Sequence, residues 1–352
     1  MKFLTVVSLF ALASAASAAS VKRGSPLDVQ IQAIGYTTVK ASITNVGQSA
    51  FKVFTSGSLL DSSPLEKVQV FQGGSRIPFD GVRLMISTVN LTEADFQIIA
   101  AGETIETVFD VAELHDLGIG GTFTVIAKGA LSYADSGSTK LAGVVEYASN
   151  QLLINVDGVE ATKTRQQLHS SIAKRINLQS DCTSSQRTVI LAALKNCVTR
   201  ATRAAAAANN NTAKMTEYFK RTDATTRNTV AGVFNRIISE CGSTTSGISR
   251  LFCTDIYPSC QPRNLAYTLP GSASYIVFCP LYFSSNPALT KTCHGVDQVW
   301  TTIHEMTHLT GIKGTDDYGT YEYNGVIGLS ADKNINHADT YASFAKAVEV
   351  GC

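Results

Sequence analysis

The first 181 of the 352 residues contain no cysteine. Charge of one sign is equally scarce, with 29 Lys and Arg against 28 Asp and Glu. Such a balance provides neither a nucleic-acid grip nor a polybasic membrane anchor. Beyond the N-terminus no apolar run is long enough to span a bilayer. No CxxC pair occurs, which argues against zinc held by thiolates, and no GxSxG occurs, which argues against a serine hydrolase.

What is present divides the chain. Met1 to Ala19 has the pattern of a secretory signal: Lys2, an apolar run from Phe3 to Leu12, and small residues at Ala13-Ser14-Ala15 or Ser17-Ala18-Ala19. Lys22-Arg23 follows as a possible dibasic cut. All eight cysteines (182, 197, 241, 253, 260, 279, 293 and 352) fall in the second half. In a secreted chain an even number predicts disulfides, here four, with the pairing left open by the residues themselves.

Between about Ser25 and Gly158, short alternating runs are separated by Gly, Ser, Asp and Pro. They are Thr37–Ile43, Phe51–Phe54, Lys67–Phe71, Thr122–Ile126 and Leu152–Val156. The spacing predicts a β-rich domain, a sandwich or barrel. Asn90-Leu91-Thr92 is a glycosylation sequon. The two histidines of this half, His115 and His169, have no ligand spacing, and the half carries no visible chemistry. Thr162 to Arg175 is polar and basic and ends in Lys174-Arg175. We expect a pro-domain over residues 20–175, removed after that pair, and a mature domain over 176–352.

The mature half is expected to be mainly α, an α+β catalytic domain with a small sheet, stapled by disulfides. Ser184–Ala208 has helical periodicity, and a longer helix is expected from Ala213 to Glu240. Asn210-Asn211-Thr212, a second sequon, separates them as a loop. Cys197 and Cys241 lie where they could join the two helices. Leu265–Leu269 and Tyr275–Cys279 read as strands, the second continuing toward Leu281-Tyr282-Phe283. A helix then starts near Gly295 and carries His304-Glu305-Met306-Thr307-His308. Its apolar stripe (Val296, Val299, Trp300, Ile303) should bury it, while the two histidines open on a cleft.

Two histidines four apart sit about 40° around a helix and one turn along it, so both imidazoles reach one metal ion. The intervening glutamate reaches a water there. This is the HExxH arrangement of zinc peptidases. The third ligand is less direct. The HExxHxxGxxH template fails because Gly314 stands at its last position, and no methionine follows Met306. Glu322 and Glu349 are the glutamates after the motif, one among Gly, Tyr and Asn, the other at the terminus. Asp316, Asp317, Asp332 and Asp339 remain. His294 and His337 are taken as surface residues. Asp339 opens the last helix, where it either favours the N-terminus, orients a ligand imidazole or competes as a ligand.

His304–His308 followed by Gly314-Thr315-Asp316-Asp317-Tyr318-Gly319 resembles the deuterolysins, the aspzincin family of fungal neutral metalloendopeptidases, whose pattern is HExxH and then GTxDxxYG. The likeness extends over the whole precursor and ends at Gly351-Cys352. It implies a zincin-like catalytic domain with one Zn2+ held by His304, His308 and Asp317, and Glu305 as general base and acid. It also implies a tyrosine near the oxyanion, with Tyr282 and Tyr321 as candidates. The family tyrosine and glycine fall on Thr320 and Tyr321, so one inserted residue is needed to give Tyr321 the role. Disulfides Cys182–Cys253, Cys260–Cys279 and Cys293–Cys352 are implied, leaving Cys197–Cys241 as an additional pair.

The expected product is a secreted, monomeric endopeptidase acting on proteins or peptides, often basic ones. Asp316 and Glu322 near the metal would suit cationic side chains. Its own pro-domain would serve as inhibitor and folding aid. The rival expectation is a non-catalytic secreted disulfide-rich binding protein with a vestigial motif, which retention of Glu305 disfavours.

Overall fold

The computed structural model describes residues 25–169, 180–243, 246–271 and 274–352. The expected signal, Lys22-Arg23 and Lys174-Arg175 lie outside them. Each alternating run of the first half forms a strand. In order these are β1 (Leu27–Ala33), β2 (Thr38–Asn45), β3 (Phe51–Phe54), β4 (Gln69–Gln72), β5 (Ser75–Arg76), β6 (Arg83–Ile86), β7 (Phe96–Ile99), β8 (Thr104–Asp110), β9 (Gly121–Ile126), β10 (Lys128–Ala134), β11 (Leu141–Ala148) and β12 (Leu152–Val156), followed by helix α1 (Gly158–His169).

They build three small sheets, β1-β2-β8, β11-β10-β3-β7 and β12-β9-β4-β5. The inward residues Val29, Ile31, Val39, Ala41, Ile43, Val70, Phe123, Val125 and Ile154 share one apolar core. The β-rich expectation therefore holds, spread over several short sheets. The basic stretch after Gly158 begins as helix α1.

The second half contains α2 (Ser184–Asn210), α3 (Thr212–Phe219), α4 (Ala224–Cys241), β13 (Arg250–Phe252), β14 (Asn264–Leu269), β15 (Tyr275–Phe278), α5 (Pro280–Ser284), α6 (Gln298–His308), α7 (Glu322–Gly328), α8 (Ala331–Asn334) and α9 (Ala338–Val350). Thr183 and Gln186 form a capping box that starts α2. Ile190, Leu194, Cys197, Ala201, Ala204 and Ala208 then bury one stripe of it.

The single helix expected over 213–240 is two. Lys220 turns into the left-handed region (φ 56°) and ends α3, and the Asp223 carboxylate accepts from Thr226 N at 2.9 Å to start α4. The expected loop at the second sequon shrinks to Asn211, which closes α2 and caps α3. After β15 the chain also departs from expectation. Pro280 has no N–H for a ladder but suits a first helical turn, so Leu281-Tyr282-Phe283 is helical.

Four disulfides are formed: Cys182–Cys253, Cys260–Cys279 and Cys293–Cys352, the three the resemblance implied, and the additional pair Cys197–Cys241, which joins α2 to the end of α4. Among the described residues no helix is long and apolar enough to cross a membrane.

The two halves share a sheet. Its strand order is β13-β15-β14-β6, so a strand from the first half completes the sheet of the second. β6 runs antiparallel to β14, with Arg83 opposite Thr268, Leu84 opposite Tyr267 and Met85 opposite Ala266. Leu84, Met85 and Ile86 are fully buried in the second half's core, with Tyr267, Phe278, Trp300, Ile303 and Tyr341.

Candidate metal centre

The helix that carries the motif is anchored at its start. Asp297 caps α6 by accepting from Trp300 N at 2.8 Å. It also receives Arg200 through two bonds of 2.7 and 2.8 Å and Lys346 Nζ at 2.8 Å, all in the solvent-free interior. Arg200 further pairs with Glu349. Two cations and two carboxylates thus neutralise one another and join α2, α6 and α9, so that buried charge is paired rather than stranded.

Every residue of α6 is buried. The open flank expected for the histidines is instead covered by β6. Beyond His308 the chain reverses through the Leu309 carbonyl, which accepts from the amides of Ile312, Lys313 and Gly314. Gly314 has φ +68°, a conformation costly for any side chain. A histidine at this template position would be strained. The Asp316 amide then bonds the Asn336 carbonyl at 2.7 Å, and the Asp316 carbonyl accepts from Ala338 N at 3.2 Å, tying the loop to the start of α9.

That tie brings Asp317 to the histidines. His304 Nε2 and His308 Nε2 are 3.0 Å apart, and each lies 3.2 Å from Asp317 Oδ1. The outer nitrogens are both occupied: His304 Nδ1 bonds Asp339 Oδ1 at 2.7 Å, and His308 Nδ1 bonds the Thr315 carbonyl at 2.9 Å. With each Nδ1–H donating outward, both Nε2 lone pairs face inward toward a carboxylate oxygen that has no hydrogen-bond donor. Three inward acceptors in a buried site repel one another unless a cation sits between them. These residues therefore fit a metal ion, and two imidazoles with one carboxylate suit zinc.

The electrostatics agree. Burial alone would lower the pKa of His304, but Asp339 and Asp317 outweigh it and hold it well above the usual imidazole value. Burial alone would raise Asp317, but His308 and His304 hold it well below the carboxylate range. His308 goes the other way from His304: burial, with the His304 and Arg83 charges, holds it below the usual imidazole value despite Asp317. Glu305 stands apart: burial pushes its carboxyl up to about 8. Its Oε2 accepts from Thr268 Oγ1 at 2.6 Å and its Oε1 has no hydrogen-bond partner.

The two tyrosines part company. Tyr321 is buried with its ring centroid 6.4 Å from that of His304, and its hydroxyl has no hydrogen-bond partner. Gly57 makes room for it, since a β-carbon there would lie 2.3 Å from that hydroxyl. Tyr282 packs between Phe278 and Phe283, and its hydroxyl meets Thr302 Oγ1 at 3.5 Å on α6.

Asp339 meets His304 on its outer side: its Oδ1 bonds His304 Nδ1 and, at 2.8 Å, Trp300 Nε1, while Oδ2 receives Glu322 N. Glu322 does open a helix, α7, yet its side chain meets Thr88 Oγ1 and burial pushes it up to about 7. His337 is fully buried, its Nε2 on the Thr320 carbonyl at 3.0 Å, where it pins the metal loop. His294 is half-buried and stacks on Tyr323 at 3.6 Å. A second grouping, Cys293, His294 and Cys352, has its sulfurs in a disulfide.

Residues of the first half, expected to carry no chemistry, reach the centre: Leu84 N donates to Asp317 Oδ2 at 3.1 Å, and Arg83 pairs with Asp316. No spacing in the sequence announces them. Replacing Asp339 by Asn should weaken zinc binding roughly 10–100-fold, measured by competition with a chromogenic chelator. Unchanged affinity would deny its orienting role.

The sequence profile of the Deuterolysin metalloprotease (M35) family matches residues 1–352. The chain is 51% identical to a neutral protease 2 homolog of Colletotrichum graminicola and 49% identical to one of Phaeosphaeria nodorum, each over all of both chains. A zinc peptidase from Grifola frondosa is 20% identical in a match that covers 47% of this chain and 97% of that one, with a TM-score of 0.39. The chain belongs to the deuterolysin metalloprotease family and is a zinc-dependent metalloendopeptidase.

Proposed function

We propose that the chain is the latent precursor of a secreted endopeptidase. Residues 1–19 direct secretion, 20–175 form the pro-domain cut away after Lys174-Arg175, and 176–352 form the monomeric enzyme. His304 and His308, through Nε2, and Asp317, through Oδ1, hold one zinc ion. The observation that carries this is the convergence of those three atoms, with both Nδ1 atoms already engaged.

When bound, zinc supplies Lewis acidity, which brings the pKa of water toward roughly 7 and polarises a carbonyl. Glu305 takes the proton of the attacking water on its free Oε1 and later passes it to the departing amine. Burial makes this carboxylate a stronger base than an exposed one, and Thr268 holds its other oxygen in place. Asp339 and the Thr315 carbonyl fix the tautomer of the two imidazoles. Tyr321, with a buried hydroxyl that has no other partner, donates to the oxygen on which negative charge develops. Tyr282 supports α6 from behind.

The pro-domain assists folding and blocks the cleft. The supporting contact is β6, whose Leu84 amide sits on Asp317. Four disulfides suit an oxidising destination. Asp316 disposes the site toward basic substrates.

A chelator should abolish casein hydrolysis by the processed enzyme, and added zinc should restore it. Activity that survives chelation would overturn the metal assignment. Replacing Lys174 and Arg175 by Ala should leave the chain uncut and about tenfold or more below the processed enzyme, because a tethered blocker acts at high effective concentration. Full activity in that uncut chain would end the latency proposal.

A further inference from the structure

Three Lys-Arg pairs occur in the 352 residues, at 22–23, 174–175 and 220–221. The first two flank the proposed pro-domain. The third lies inside the catalytic half, where an endoprotease that reads the pair alone would cut as readily as after Lys174-Arg175. We infer that Lys220-Arg221 is a conditional processing site, closed by a clamp from α7 and α8 in the folded chain and cut where that clamp has not formed. This inference rests on the processing step of the latent-precursor proposal and names a second bond for the same protease.

Burial does not hide the pair, since Lys220 and Arg221 are both exposed. Conformation closes it. A protease cleft takes its substrate as an extended strand, and only residues 220–223 separate α3 from α4. Lys220 stands in the left-handed region (φ 56°, ψ 18°), and its N–H donates to the Thr216 carbonyl. Beyond the Arg221–Thr222 bond, the Thr222 carbonyl accepts from Arg227 Nε at 2.9 Å, and Asp223 caps α4. To extend into a cleft, the chain must release at least one of these helix ends.

The two basic side chains are engaged as well. Lys220 Nζ donates to the Ile327 carbonyl at 2.8 Å and to the Leu329 carbonyl, and Arg221 pairs with Asp332. Ile327 is in α7, Leu329 closes it and Asp332 is in α8, so the clamp comes from 107 to 111 residues further along the chain. α7 begins soon after the metal loop and is seated by the fully buried Val326. A chain whose α7 and α8 have not docked on α3 therefore offers both basic side chains and a pliable backbone. Cutting at such a site follows the population of the open form. The cut adds one water across the Arg221–Thr222 peptide bond and leaves a carboxylate on Arg221 and an amine on Thr222. Cys182–Cys253 and Cys197–Cys241 both span that bond, so the pieces stay joined until reduced.

The test treats the full chain with a subtilisin-like endoprotease specific for Lys-Arg and identifies the reduced products by mass and new N-terminus. Wild type should be cut after Arg175 and stay intact after Arg221. Val326→Ala, which loosens the seating of α7, should speed the cut after Arg221 by about tenfold. Asp332→Ala, which removes an exposed ion pair, should speed it by about two- to threefold. The rate after Arg175 in the same sample corrects for protease activity. Adding Lys220→Gln to the Val326→Ala chain should abolish the second cut.

A wild type cut as fast after Arg221 as after Arg175 overturns the clamp, and so does an unchanged rate in both variants. Should Val326→Ala unfold the chain outright, Asp332→Ala decides. A reduced and alkylated chain that stays intact after Arg221 overturns the site itself. Resistance after Arg175, with Arg221 behaving as described, would instead sink the processing proposal alone.

Discussion

Glu305→Gln is expected to leave zinc bound at one ion per chain and to lower kcat/KM on casein or a peptide by roughly 10²–10⁴-fold. The ligand atoms belong to His304, His308 and Asp317, and Glu305 Oε1 has no hydrogen-bond partner, so the amide removes proton acceptance without removing a ligand. Gln is isosteric and can still accept from Thr268 through its oxygen, so the local fold survives. Metal content by atomic emission and activity at saturating zinc separate the two effects. A mutant as active as the wild type would remove Glu305 from the mechanism. Loss of zinc in step with activity would make it a structural prop. Asp317→Ala should show that second pattern, with both lost together.

The second large effect lies away from the metal. Asp297→Ala should destabilise the fold by about 3–5 kcal/mol, because it strands Arg200 and Lys346 in the interior and uncaps α6. For a domain of this size that corresponds to a fall in Tm of roughly 10 °C. Asp297→Asn should recover part of the capping loss but little of the charge loss. An unchanged Tm in the alanine mutant would mean that water reaches the cluster.

The same carboxylate predicts a direction with pH. Burial opposes its ionisation, but Arg200 and Lys346 hold Asp297 below its ordinary value. In the unfolded chain it titrates near about 3.9. Its contribution is therefore complete above that pH and is lost as the pH falls from there through the lower folded value. Acid unfolding of the wild type should be correspondingly steep below about pH 4, and Asp297→Asn should flatten it.

Local order made much of the chain legible. Alternation along Thr37–Ile43 or Thr122–Ile126 reports a strand because side chains there point to opposite faces, and the structure places strands at both. The apolar stripe of α2 reports a helix for the same geometric reason. Asp223, an N-cap that divides Ala213–Glu240, and Pro280, which ends the strand and starts a helix, are local signals of the same kind.

His304, Glu305 and His308 were recoverable from the sequence alone because one helical turn carries all three, so their relative positions follow from the pitch. Asp317 needed the resemblance: eight residues of loop separate it from His308, and loop length does not say which of several carboxylates turns inward. That is decided by Gly314 and by the backbone bonds to Asn336 and Ala338. Asp339 on His304, Arg83 on Asp316 and Leu84 on Asp317 lie 35, 233 and 233 residues apart in the chain. Periodicity carries no information over such separations. What the order of residues determined by itself was the chemistry that can be held within one turn of helix. What covers, orients and selects at that turn was settled only when β6 paired with β14, because backbone hydrogen bonding joins strands without regard to their distance along the chain.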